Sequence, residues 1–256
     1  KKTAQTMSMS FSRGASRDGS SKRKGKKKKN EKDAEDDALT VPVLQVGDES
    51  PDFTCDSTTG LFNFHEVIDG SFSVIVTFLF GFDPVATTEI GMLSKLKKEF
   101  QARECKLIAL CVDTKENHRK FIEEAQELQD CEVWFPIIAD HNAEISRLLN
   151  LVKPKAINAK RNLRPATLVM VMDIDRRIRF IQQYPNNIGR NFYEILRILD
   201  SLQLSLFHQV VTPVNWSQGE EVFVHPNLSS GAAAPMFPRG FNEMKDWFRI
   251  TAQPDI

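Results

Sequence analysis

Apolar runs of strand length alternate with helical stripes along most of this chain. Val74-Ile75-Val76-Thr77-Phe78-Leu79-Phe80 predicts a buried strand over 73–80. Residues 87–103 place Ile90, Leu93, Leu96 and Phe100 at helical spacing. Residues 106–112 predict a second buried strand, after which Asp113 and Thr114 can cap a helix running to residue 129. That helix carries Phe121, Ile122, Ala125 and Leu128 on one side. A short segment, Trp134 to Asp140, ends in a turn, and residues 142–150 predict a further helix. Residues 166–172 and 177–183 predict two strands joined by Asp173-Ile174-Asp175-Arg176, a hairpin signal. Residues 191–206 predict a helix with Phe192, Ile195, Leu196, Leu199 and Leu202 on its stripe. Alternating strands and helices imply an α/β layered domain, and the hairpin makes its sheet mixed.

Residues 1–40 follow no such pattern. They are rich in Ser, Gly and Lys and hold the block Lys22, Arg23, Lys24, Lys26, Lys27, Lys28 and Lys29. They carry 12 Lys/Arg against 6 Asp/Glu, while the remaining residues carry 22 against 28, so a net charge of zero hides a basic arm on an acidic body. Such an arm has too little to bury to offset its ordering entropy and is expected to be disordered when free. Residues 207–256 are punctuated by Pro and Gly and predict a small separate domain with a strand near 221–224. The expected division is 1–40, 41–206 and 207–256.

With 41 % hydrophobic residues the chain can build a sizeable core. No run approaches the roughly 18–20 apolar residues that span a bilayer, and the N-terminus has no apolar leader, so a soluble cytoplasmic protein is expected. Cys55, Cys105, Cys111 and Cys131 show neither a C-x-x-C pair nor zinc spacing. Buried free thiols in a reducing compartment are the expectation, with no metal and no cofactor.

Five signatures carry a family resemblance. They are Pro84-Val85-x-Thr87-Thr88-Glu89; Lys106-Leu107-Ile108-Ala109-Leu110; Phe135-Pro136-Ile137-Ile138-Ala139-Asp140; Tyr184-Pro185 with Gly189-Arg190-Asn191-Phe192; and Ser201-Leu202-Gln203-Leu204 leading to Thr212-Pro213-Val214-Asn215-Trp216. From about Val46 onward the chain resembles the 1-Cys peroxiredoxin subfamily. The resemblance implies a thioredoxin-like fold with a mixed central sheet, plus a small C-terminal domain that helps build a homodimer. It also implies a peroxide site in which a cysteine thiolate attacks the O–O bond, aided by a Thr hydroxyl, a Pro and an Arg. Mapped onto this sequence, Pro84 is kept, Ala86 stands where the family has the cysteine, Asp83 where it has Thr, and Thr167 where it has Arg. Phe78-Leu79-Phe80-Gly81 stands where the subfamily carries His-Pro-Arg-Asp. The Ser–His–Asp set of the family's phospholipase members maps to His65, Ser71 and Asp175.

An alanine has no nucleophilic atom, so these residues lead to the expectation of a peroxiredoxin-like pseudoenzyme. In that reading the chain is a homodimeric structural component whose basic arm docks on an acidic assembly, with the basic loop 153–164 as a second contact. A microtubule or axonemal lattice is favoured over a ribonucleoprotein particle. The alternatives are an enzyme, through residual thiol redox chemistry or the His65/Ser71/Asp175 set, and a regulatory heterodimer with an active peroxiredoxin paralogue.

Overall fold

In a computed structural model, residues 43–152 and 166–255 are described. The basic block 22–29 and the loop 153–164 lie outside the described residues. The elements run β1 (Thr54–Cys55), β2 (Phe62–Asn63), α1 (Phe64–Ile68), β3 (Ser73–Phe78), α2 (Pro84–Lys95), α3 (Lys97–Ala102), β4 (Lys106–Cys111) and α4 (Lys115–Gln129). After these come β5 (Ile137–Ala139), α5 (Glu144–Leu148), β6 (Thr167–Met172), β7 (Ile178–Tyr184), α6 (Phe192–His208), β8 (Val210–Val211), β9 (Val222–Val224), α7 (Ser230–Ala233), β10 (Asn242–Lys245) and β11 (Phe248–Thr251).

The main sheet has the order β5-β4-β3-β6-β7. β3 runs parallel to β4, and β4 to β5, because helical crossovers join them; β6 and β7 are antiparallel through the hairpin. The mixed thioredoxin-like sheet expected from the sequence is therefore present. Alternate residues of β3 serve opposite faces. Val74, Val76 and Phe78 join Ile90, Leu93, Phe100, Phe121 and Ile195 in one core, while Ile75 joins Phe64, Ile68, Ile108 and Leu110 in the other. A second sheet, β10-β11-β9-β8, closes over Trp216, Val222, Val224 and Phe237, and Leu204 of α6 belongs to that cluster.

Three local expectations need correction. The strand predicted over 73–80 stops at Phe78, because the chain turns there toward Phe82 at φ 58°. The helix predicted over 87–103 is two helices, broken at Leu96 with ψ 14°, and the first begins earlier, at Pro84. Leu128 is 71 % exposed rather than packed, since α4 buries the stripe of His118, Phe121 and Ala125 instead.

Candidate active site

The strand β3 delivers the chain to the start of α2, where the family's peroxide loop is expected. Asp83 is the N-cap: its Oδ1 accepts from the Ala86 amide at 2.9 Å, and its carbonyl oxygen accepts from the Thr87 hydroxyl at 2.8 Å. Pro84 occupies the first turn, where the missing N–H costs nothing. The Ala86 methyl is buried in the core beneath the loop. Thr167, at the start of β6, is also buried and donates its hydroxyl to Asn186 Oδ1 at 2.6 Å.

Among the described residues, Arg190 comes close to this loop, and it is fully committed. Arg190 Nε donates to Glu89 Oε1 at 2.8 Å and Nη2 donates to Glu89 Oε2. Its Nη1 donates to the carbonyls of Thr77 and Leu168, each at 3.0 Å. Phe78 and Phe192 lay their rings 5.0 and 5.6 Å from the guanidinium carbon. The arrangement ties α2, β3, β6 and the start of α6 together. It leaves no guanidinium face for a ligand.

The hydrolase set is not brought together by the hydrogen bonds of the described residues. His65 Nε2 lies 2.8 Å from the Ser50 carbonyl oxygen and 3.4 Å from the Ser50 hydroxyl. When Nε2 donates to that carbonyl it cannot serve as a base. Ser71 follows α1, its amide bonded to Ile68 O, on a cleft of about 580 Å³ shared with Cys105, Lys106 and Trp134. Asp175 sits in the β6–β7 turn with its amide bonded to Asp173 Oδ1. A triad needs mutual contact, so the residue types survive without the geometry.

The four thiols are free. Burial pushes Cys105 and Cys111 up to about 12, and both belong to the apolar core that faces α2. Cys131 follows α4 and is half-buried. Cys55 is equally buried, in the core on the other face of the sheet. It lines a cleft of about 450 Å³ together with Thr54, Asp56, Thr114, Lys115, Asp140 and His141. Its sulfur lies 3.8 Å from the Phe62 carbonyl oxygen. Burial first, then the Asp56 and Asp140 carboxylates, push its thiol up to about 12. Lys115 Nζ, from the first residue of α4, donates to Asp56 Oδ1 at 2.7 Å. This ion pair, with the Ser57 amide and Arg119, holds the Asp56 carboxyl below its usual range, the Lys115 bond acting most. The sequence shows no cationic partner near Cys55, because Lys115 lies 59 positions beyond Asp56 and only the fold brings it to the cleft.

Comparison with known proteins places the chain clearly. Residues 46–181 match the AhpC/TSA family, and residues 201–236 match the C-terminal domain of 1-Cys peroxiredoxin. The 1-Cys peroxiredoxin of Dictyostelium discoideum is 36% identical over 212 residues, covering 83% of this chain and 86% of that protein. Peroxiredoxin-6 of Rattus norvegicus is 36% identical over 220 residues, covering 82% of this chain and 98% of that protein. A solved structure of a yeast mitochondrial 1-Cys peroxiredoxin superposes with a TM-score of 0.74 at 36% identity, covering 82% of this chain and 99% of that one. These relatives carry the names of peroxiredoxins and match 82–83% of this chain. They overturn the expectation of a non-enzymatic pseudoenzyme serving as a structural component. The microtubule, axonemal and ribonucleoprotein partners expected with it find no support among them. Among the described residues, no helix is long and apolar enough to cross a membrane.

Proposed function

Because the chain belongs to the AhpC/TSA family and carries the C-terminal domain of 1-Cys peroxiredoxin, we propose that it is a thiol-dependent peroxide reductase whose reacting sulfur is Cys55. The observation that carries this reading is the Cys55 cleft. It sets a thiol beside two hydroxyls, Thr54 and Thr114, and one ammonium, Lys115, in a space large enough for a small peroxide. Ala86 offers no sulfur at the family's usual place. Cys105, Cys111 and Cys131 are absent from the lining of this cleft.

The Cys55 thiolate attacks one peroxide oxygen. The O–O bond breaks, an alcohol or water leaves with a proton from the cleft donors, and the sulfur becomes a sulfenic acid. A first external thiol displaces water to give a mixed disulfide, and a second releases Cys55 as the thiol. The yeast relative is described for thiol resolution through glutathione and thioredoxin systems, so glutathione is the reductant to supply. Burial and the neighbouring carboxylates push the Cys55 thiol up, so the thiolate is a minor form at pH 7. Turnover is therefore slow at neutral pH and climbs about tenfold per pH unit above it.

The test is peroxide consumption with glutathione, from pH 7 to 9, by the wild type, Cys55→Ser and Cys131→Ser. Turnover lost in Cys55→Ser and kept in Cys131→Ser is the expected result. Turnover that survives Cys55→Ser, or that does not rise with pH, refutes the assignment.

A homodimer, or a heterodimer with an active paralogue, suits the same reading. Trp247 and Met244, exposed at 65% and 60% on the β10–β11 hairpin, offer apolar surface for it. Within this reading the functional units are 41–206 and 207–256.

A further inference from the structure

Resting on the thiol reading of the Cys55 cleft, we propose that Asp56 and Lys115 are positioning residues that set the reactivity of Cys55 with opposite signs. The Asp56 carboxylate restrains the sulfur, and the Lys115 ammonium weakens that restraint.

Two hydrogen bonds hold the half-exposed Asp56 carboxylate at the cleft. Its Oδ1 accepts from Lys115 Nζ at 2.7 Å and from the Ser57 amide at 2.9 Å. Its backbone carbonyl accepts from the Ala139 amide at 3.0 Å, which seats this segment against the end of β5. The carboxylate stands one residue from Cys55 on the wall of the same cleft, its side chain 50% exposed and held by the Lys115 and Ser57 bonds. Lys115 is largely covered, its side chain 20% exposed, and its ammonium is spent on Asp56.

Other charged groups face the cleft. Asp140 is occupied in accepting the Ile145 and Ser146 amides at the start of α5. Glu116 and Glu144 lie at the rim with His141, and Arg119 acts on Asp56 from the next turn of α4. Of the two carboxylates that oppose a Cys55 thiolate, Asp140 cannot be neutralised without uncapping α5. Asp56 is the adjustable one. A thiolate forms more readily when a neighbouring negative charge is removed and less readily when that charge loses its counterion.

The experiment reads the thiol directly. Wild type, Asp56→Asn, Lys115→Met and the double variant, all with Cys131→Ser, are labelled with iodoacetamide from pH 7 to 9. Labelled sites are located by mass spectrometry, with Cys111 as the buried reference. Asp56→Asn should label Cys55 roughly three- to tenfold faster, and Lys115→Met slower by a similar factor. The double variant should follow Asp56→Asn, because Lys115 acts through Asp56. Simple loosening of the fold would instead speed labelling in both single variants and expose Cys111 as well. Both single variants moving the same way, or no change in Asp56→Asn, overturns the proposal. Peroxide turnover measured on the same samples separates the two claims. The labelling pattern without turnover sinks the peroxide assignment and keeps the charge coupling; turnover that requires Cys55 without the pattern does the reverse.

Discussion

The Arg190–Glu89 pair makes the sharpest stability prediction. The Arg190 side chain is 0% exposed and that of Glu89 is 4%, so neither charge has water to fall back on. Replacing Arg190 with Met leaves the Glu89 carboxylate buried without its partner and strips the donors from the Thr77 and Leu168 carbonyls. Breaking a buried pair from one side costs about 3–5 kcal/mol. For a folded unit of this size that corresponds to a Tm drop of about 6–20 °C. Urea denaturation and calorimetry of Arg190→Met, Glu89→Gln and Arg190→Met/Glu89→Met measure it. The double variant removes both charges together, so it should be less destabilised than the sum of single changes by several kcal/mol, of order 2–4. An Arg190→Met protein within about 1 kcal/mol of wild type, against that expectation, would refute the account of α2, β3, β6 and α6 being held by this pair.

Other predictions follow from single contacts. A Cβ on Gly91 would come 2.6 Å from Gln129 Cγ and 2.7 Å from its Cβ, so Gly91→Ala should destabilise by about 1–3 kcal/mol despite its better helix propensity, and Gln129→Ala should relieve it in denaturant melts. Ala86→Cys places a thiol at the start of α2 beside the Asp83 carboxylate; stopped-flow peroxide reduction should stay slow in that variant and rise at least about tenfold when Asp83→Thr is added, since Thr keeps the cap and removes the charge. Burial lowers the His118 pKa, so the unfolded chain takes up this proton first as pH falls. Stability is full above about pH 6.5 and drops below it, by up to about 1.4 kcal/mol per pH unit, and His118→Gln should flatten that part of the profile.

The main sheet was legible because each of β3, β4 and β6 is a continuous apolar run that only a two-sided burial explains. The two-residue strands β1, β2 and β8 were not, since they exist only through their partners. The break between α2 and α3 carries no Gly or Pro; Leu96 fits the apolar stripe of either helix, so spacing alone reads one helix. The loop Asp83–Thr88 was legible as a motif because its chemistry is local. The Ser–His–Asp set was legible only as residue types, and His65 in fact meets Ser50, fifteen positions upstream. The Cys55 cleft needed β1, the α4 start and the β5–α5 turn to converge, and sequence carries no sign of that.

Ala86 shows what these supports imply for how such a chain can change. The position contributes one buried methyl, while the helix start is secured by the Asp83 cap and the Arg190–Glu89 pair. A small side chain of either kind, thiol or methyl, meets the same space. The framework therefore exerts no pressure to keep sulfur there: the residue that decides the chemistry of the loop is among those that matter least to its shape.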